Sequence, residues 1–121
     1  MLKPGALRLP LLLSVLLPAL AGAGEPVAAA CAFIDALPPS AVGEIHLAGF
    51  DASGPCLIDT HGAPIDGAVW RLYQRLVVRT GPRPTLIERD DNVPAYADLA
   101  AERDAAARIL AIAQEAALVS A

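Results

Sequence analysis

Strand-type and helix-type apolar patterns alternate along residues 42–118, and this alternation constrains the fold more than any other feature of the chain. Val42–Leu47 predicts a strand, because it contains β-branched residues and Gly49 follows it closely. Asp66 is a predicted helix cap, and apolar residues recur after it every third or fourth position, as on one helix face. Pro84–Glu88 predicts the next strand. Strands that alternate with helices in this order indicate parallel β/α units and an α/β fold class.

Two further helices flank these units. An Ala-rich segment, Val27–Leu37, predicts a helix that ends at the following pair of prolines. A long Ala-rich helix is predicted after Pro94, to about Leu118, and Cys56–Asp59 predicts a short extended run. A parallel sheet needs cover on both faces, and two or three strands with three helices cannot close a barrel. The pattern therefore predicts that the chain forms part of a larger α/β structure.

Composition and charge exclude several classes of protein. Hydrophobic residues make up 55% of the 121-residue chain, which is too apolar for a disordered protein. The formal net charge is −4, the only lysine is Lys3 and the arginines are scattered, so a nucleic-acid groove is not expected. Cys31 and Cys56 form at most one disulfide, and they lack the C-x-x-C spacing of a zinc knuckle or a redox motif. The favoured interpretation is that both cysteines are small buried residues.

Residues 1–24 differ from the rest of the chain. Lys3 and Arg8 precede an apolar run, Leu9–Leu20, and the segment contains no acidic residue. This pattern is typical of a secretory signal peptide, with Ala19-Leu20-Ala21 as the cleavage site. The run is too short for a transmembrane span, which needs about 20 apolar residues. One hypothesis is therefore a small exported binding or structural protein.

Both histidines lie near carboxylates at the ends of extended segments. His46 ends the strand that contains Glu44, and His61 follows Asp59 by two residues, so an extended backbone would point both side chains to one face. Glu88 ends the next strand, and the carboxyl ends of parallel strands meet at one edge of a sheet. Two imidazoles and two carboxylates suit iron, manganese or zinc. The alternative is structural: a capped turn at Asp59, a hydrogen-bonded strand histidine and a solvated charge run after Glu88.

Three ordered motifs resemble a known family. They are Glu44-Ile45-His46-Leu47-Ala48-Gly49, Leu57-Ile58-Asp59-Thr60-His61-Gly62 and Pro84-Thr85-Leu86-Ile87-Glu88-Arg89-Asp90. Their order and separations, and the helix around Val69–Tyr73, are similar to the C-terminal part of the multinuclear non-haem iron-dependent oxidative enzymes, once called domain of unknown function 692. The resemblance covers roughly residues 32–119.

The resemblance implies a (β/α)₈ TIM barrel with two or three iron ions at its mouth. Members of the family, such as the methanobactin and bufferin maturases, oxidatively modify cysteines of ribosomally made precursor peptides, which a partner protein usually presents. It also implies that His46, Asp59, His61 and Glu88 are metal ligands and that iron is the cofactor. The role of the protein is then to supply geometry and a shielded mouth.

The chain departs from the family in its first residues. Complete members are more than twice as long and supply further ligands from the first half of the barrel. Leu11–Leu17 aligns with a family strand, but Ser14 and Leu17 replace the family's Asp and Asn. The alternative interpretation of residues 1–24 is therefore a degenerate strand, with residues 25–121 as the C-terminal portion of a barrel. This interpretation predicts a truncated, cytoplasmic chain, inactive alone or completed by a second chain that supplies the missing half-barrel.

Overall fold

The computed structural model describes residues 9–12 and 26–120. One strand is followed by three helices that alternate with two further strands, and the order from residue 26 onwards is the one that the apolar pattern predicts. The strands are β1, Leu9–Leu12; β2, Val42–Leu47; and β3, Thr85–Ile87. The helices are α1, Pro26–Ala36; α2, Gly67–Thr80; and α3, Tyr96–Val119, and a 3₁₀ turn covers Pro39–Ala41. None of the described helices is both long enough and apolar enough to cross a membrane.

The three strands form one parallel sheet in the order β1-β2-β3. In the register, His46 lies opposite Leu86 and Leu47 lies opposite Ile87, so β2 and β3 end side by side. The predicted α/β class and the parallel arrangement are confirmed, whereas the partial barrel stays a prediction. β1 includes the first two residues of the predicted strand Leu11–Leu17. The rest of that strand, with the positions of the two substitutions, and the predicted cleavage site lie outside the described residues.

The core lies between the sheet and the helices. Side chains alternate along β2, so Ile45 and Leu47 are fully buried while Glu44 and His46 occupy the opposite face. The buried stripe of α2 agrees with its predicted apolar spacing, and its arginines are exposed on the other side. The main residues of this core are Ile34, Ile45, Leu47, Val69, Leu72, Tyr73 and Leu76. Burial of one face of β2 thus leaves the other face, with His46, for a site.

Asp66 caps α2 as the sequence predicts. Its side chain accepts a hydrogen bond of 2.7 Å from the backbone N–H of Ala68, and Gly81 ends the helix with a left-handed φ of 72°. We expect Asp66→Ala to lower the free energy of unfolding by about 1 kcal/mol, because a helix N–H loses its acceptor. Asp66→Ser keeps a short acceptor and should lose much less in a urea titration. Equal losses in the two variants would contradict the capping role.

The predicted extended run Cys56–Asp59 does not join the sheet. Ile58 instead pairs with Asp51 in an isolated antiparallel bridge. The two backbone hydrogen bonds between Asp51 and Ile58 are 2.8 and 2.9 Å long, so they hold the two ends of the intervening loop together. The prediction that both cysteines are buried is wrong. Cys31 is half-buried, Cys56 is exposed because it lies on this surface loop, and both are free thiols.

Candidate metal centre

His46 and Glu88 meet at the carboxyl ends of the two adjacent strands. His46 is the penultimate residue of β2, and Glu88 directly follows β3. The backbone N–H of Glu88 donates a 2.8 Å hydrogen bond to the carbonyl of Leu47, which continues the ladder past the end of β3. Glu88 Oε2 lies 3.4 Å from His46 Nδ1. The parallel register thus accounts for this contact, as the sequence predicts.

Asp59 and His61 also come together, but not through an extended backbone. His61 has a φ of 52°, in the left-handed region, so the expectation that residues two apart point to one face of an extended segment does not hold here. Asp59 Oδ1 nevertheless lies 2.9 Å from His61 Nε2. The turn at His61 directs its ring back towards Asp59 and onwards to Glu88. Positive φ is uncommon in non-glycine residues, and histidine adopts it more often than most.

The carboxylate of Glu88 lies between the two imidazole rings. Its Oε1 is 3.3 Å from His61 Nδ1, and its Oε2 faces His46. The four sequence-predicted residues are therefore joined by a chain of contacts from Asp59 through His61 and Glu88 to His46. Of these four, His61 and Glu88 belong to the group whose ligand atoms lie close together. All four side chains are partly exposed, between 13% and 25%. Imidazole nitrogens and carboxylate oxygens are ligand types that suit iron, manganese or zinc.

Two carboxylates outside the four predicted ligands also contact the histidines. Asp90 Oδ2 lies 2.9 Å from His61 Nδ1, and Glu44 Oε1 lies 2.7 Å from His46 Nε2. Ligand atoms of His61, Glu88 and Asp90 all lie within 4.8 Å of one another. The sequence signal for these two contacts was the spacing of two residues, from Glu88 to Asp90 and from Glu44 to His46. This signal is weak, because charged residues are common near strand ends.

Three buried polar atoms of the cluster have no hydrogen-bond partner among the described residues. They are Asp59 Oδ1, His61 Nε2 and Glu88 Oε2. Asp59 Oδ1 and His61 Nε2 are close, yet their orientation is not that of a hydrogen bond. A buried polar atom without a partner costs about 1–3 kcal/mol, so native structures rarely keep several together. Carboxylate oxygens and an imidazole nitrogen are donors that a bound metal ion would satisfy.

The electrostatics of His61 follow from its neighbours. Burial lowers the pKa of His61, but the hydrogen bond to Asp90 and the nearby carboxylates of Asp59 and Glu88 outweigh burial and raise that pKa above its usual value. A protonated imidazole cannot bind a metal ion, so protons compete at this ring as the pH falls. The same carboxylates that raise the pKa also offset the charge of a bound cation.

Hydrogen bonds between two loops hold this cluster together. The backbone N–H of Asp90 donates to the carbonyl of His61 at 3.0 Å, and Asn92 Nδ2 donates to the carbonyl of Gly62 at 3.1 Å. The loop after β3 is therefore attached to the turn that carries His61. Together these features describe an α/β protein with a candidate metal centre at the carboxyl ends of adjacent parallel strands.

Comparison with known families gives a direct match. Residues 24–111 match the family described as RiPP precursor modification enzyme MbnB/TglH/ChrH, where RiPP denotes a ribosomally made, post-translationally modified peptide. The chain belongs to this family, the multinuclear non-haem iron-dependent oxidative enzymes, and the resemblance of the three motifs is confirmed. No solved structure matches the chain.

Curated relatives are longer than this chain. A UPF0276 protein of Caulobacter sp. (strain K31) is 62% identical over 81 residues, which cover 64% of this chain and 29% of the relative. A UPF0276 protein of Caulobacter vibrioides is 59% identical over 87 residues, covering 69% of this chain and 31% of the relative. A UPF0276 protein of Chromobacterium violaceum is 49% identical over 84 residues, which cover 69% of this chain and 30% of the relative. The chain thus spans about three tenths of the length of these relatives.

Proposed function

We propose that residues 25–121 are the C-terminal β/α units of an iron-dependent oxidative enzyme that modifies cysteines of a ribosomally made precursor peptide. The observation that carries the proposal is the position of Glu88 between His46 and His61, with unpartnered buried atoms on Glu88, His61 and Asp59. Family membership supports a precursor peptide as the substrate class. The geometry supports a centre that holds a cation.

The donor atoms favour iron within this proposal. Imidazole nitrogens and carboxylate oxygens suit iron, manganese and zinc, and the family favours iron among them. His46, Asp59, His61 and Glu88 would hold it. Bound iron would supply the redox chemistry with dioxygen that oxidises a peptide thiolate. The exposed mouth of the cluster, where all four side chains retain some solvent access, is where a peptide thiol would approach.

The carboxylates of Glu44 and Asp90 orient the two rings. Glu44 accepts from His46 Nε2–H, which leaves the lone pair of His46 on Nδ1, facing Glu88. Asp90 accepts from His61 Nδ1–H, which leaves the lone pair of His61 on Nε2, facing Asp59. Carboxylates that bond the second ring nitrogen fix the tautomer and increase the basicity of a ligating histidine.

The remainder of the barrel would come from chain beyond these units. β3 is an edge of the described sheet, and Leu86 on it is half exposed. An unpaired parallel edge needs another strand or a cover. We therefore propose that the chain is inactive by itself and that a second polypeptide carrying the first half-barrel completes it. A partner protein would present the precursor peptide to this assembly, in the cytoplasm, where the peptide is made.

An anaerobic iron(II) titration of the 121-residue chain tests the metal centre. We expect binding, but no oxidation of a cysteine-containing precursor peptide in mass spectrometry after dioxygen is admitted. Adding the non-overlapping part of the Caulobacter vibrioides relative should restore peptide modification, because it supplies the missing strands. Absence of iron binding would refute the metal centre, and peptide oxidation by the chain alone would refute the need for a second half.

A further inference from the structure

We propose that Glu102 is a positioning residue for the candidate metal centre, although it lies outside the cluster. Glu102 lies on α3 and makes contacts with two segments that carry cluster residues. Its Oε1 accepts a 2.9 Å hydrogen bond from the backbone N–H of Ile65, and its Oε2 lies 3.5 Å from Arg89 Nη2. The inference rests on the proposed function, because it concerns the geometry of that centre.

The ion pair with Arg89 fixes the loop after β3. Arg89 stands between Glu88 and Asp90 in the sequence, and both of these neighbours contact His61. The side chain of Arg89 contacts Glu102 instead and is only 6% exposed. Neighbouring side chains along this segment therefore point to opposite sides. Anchoring Arg89 on one side holds the two carboxylates in position on the other.

The hydrogen bond to Ile65 fixes the second segment. Ile65 is buried and lies between His61 and the cap of α2 at Asp66. The connection from His61 to α2 is therefore attached at one end to the Asp66 cap and at its middle to Glu102. One carboxylate on α3 thus connects both loops whose side chains converge on the centre.

The charge and burial at Glu102 support a role beyond simple packing. Its side chain is 17% exposed, and Oε2 is buried without a hydrogen-bond partner among the described residues. A carboxylate at such a position is costly unless a charge opposes it, and Arg89 provides that charge. An uncharged residue would fill the same space without holding Arg89. Glu102 therefore acts by holding the two loops in position, and its charge matters more for this role than the space that its side chain fills.

Glu102→Gln tests the inference in the full 121-residue chain. The amide oxygen still accepts from Ile65 N–H, but the charge opposite Arg89 is gone. We expect the affinity for cobalt(II), measured by absorbance titration, to fall about tenfold, as for loss of an orienting partner of a metal ligand. The ¹⁵N-edited NMR spectrum of the metal-free chain should shift at the amides of His61 and Asp90. Glu115→Gln, an exposed change on the same helix, should alter neither measurement.

A second variant separates positioning from general destabilisation. Arg89→Gln removes the other half of the pair and should reduce cobalt affinity to a similar extent, and the double variant should be no weaker than either single variant. Wild-type cobalt affinity and unshifted amides in folded Glu102→Gln would overturn the inference while the metal centre stands. Failure of the unsubstituted chain to bind cobalt or iron would overturn the proposed function and this inference together.

Discussion

Glu88→Gln is expected to reduce the affinity of the chain for iron(II) or cobalt(II) at least about 100-fold, the largest effect of any single substitution in the cluster. Glu88 is the residue that faces both imidazoles, with one oxygen 3.4 Å from His46 and the other 3.3 Å from His61. Glutamine has nearly the same shape, so the backbone bond from Glu88 to Leu47 and the end of β3 should persist. The change removes negative charge and one acceptor at the point where the two rings converge.

The same substitution has a consequence in the metal-free chain. Burial lowers the pKa of His61, while Asp90, Asp59 and Glu88 together raise it. Removing the charge of Glu88 takes away one of the three carboxylates that raise the pKa of His61, so that pKa should decrease. The imidazole resonances of His61, followed by NMR against pH, report this decrease. Loss of metal affinity with an unchanged titration of His61 would mean that Glu88 does not face this ring.

Asp91→Asn is the matched control for Glu88→Gln. It removes one negative charge from the same loop, and an amide oxygen can still accept the 2.8 Å hydrogen bond from the backbone of Asn92. Asp91 is exposed, so metal affinity should stay within about twofold of the unsubstituted chain, as expected for a screened surface charge. Equal losses in the two variants would show that net charge, and not the position of Glu88, determines metal affinity.

The sequence predicted the regular elements well because local rules determine them. Val42–Leu47 forms a strand with the predicted bounds, and the apolar spacing after Asp66 identifies the buried face of α2. A cap, a glycine stop and a repeating apolar pattern are local signals, so no distant contact is needed to detect them. The proximity of His46 and Glu88 was likewise predictable, since parallel neighbouring strands end at one edge of the sheet.

The parts that could not be predicted depend on distant contacts and on special backbone conformations. The left-handed φ of His61 could not be predicted, because only a few per cent of non-glycine residues adopt it, even though histidine does so more often than most. The contact of Asp90 with His61 joins residues 29 positions apart, and that of Glu102 with Ile65 joins residues 37 positions apart. Periodicity indicates which face of an element is buried, but not which loop residue lies opposite. The sequence therefore predicts which residues belong to the candidate site, but not how their side chains are arranged.

Gly49→Ala is expected to lower the free energy of unfolding by about 3 kcal/mol, at the upper end of the usual cost of overpacking a buried position. Gly49 follows β2 and is buried. A Cβ atom there would overlap the backbone carbonyl oxygens of Ala63 and Pro64. Backbone atoms cannot rotate away as the end of a side chain can, so the turn after His61 would have to move.

The displacement of that turn should also weaken metal binding. Ala63 and Pro64 follow His61 closely, and the hydrogen bond from Asn92 to Gly62 joins the same turn to the loop after β3. Moving the turn separates His61 from Glu88 and Asp59. We therefore expect Gly49→Ala to reduce cobalt affinity at least about tenfold in whatever fraction of the chain remains folded, since misplaced ligands cost metal affinity.

Gly54→Ala is the control, and it separates steric overlap from the general effect of replacing glycine. A Cβ atom at Gly54 would meet nothing within 4 Å. Alanine there restricts the unfolded chain, so stability should be unchanged or raised by up to about 1 kcal/mol. Urea unfolding of both variants measures the difference. If Gly49→Ala unfolds at the wild-type urea concentration, the turn at Ala63 and Pro64 does not pack against the end of β2, and the close approach that positions His61 is absent.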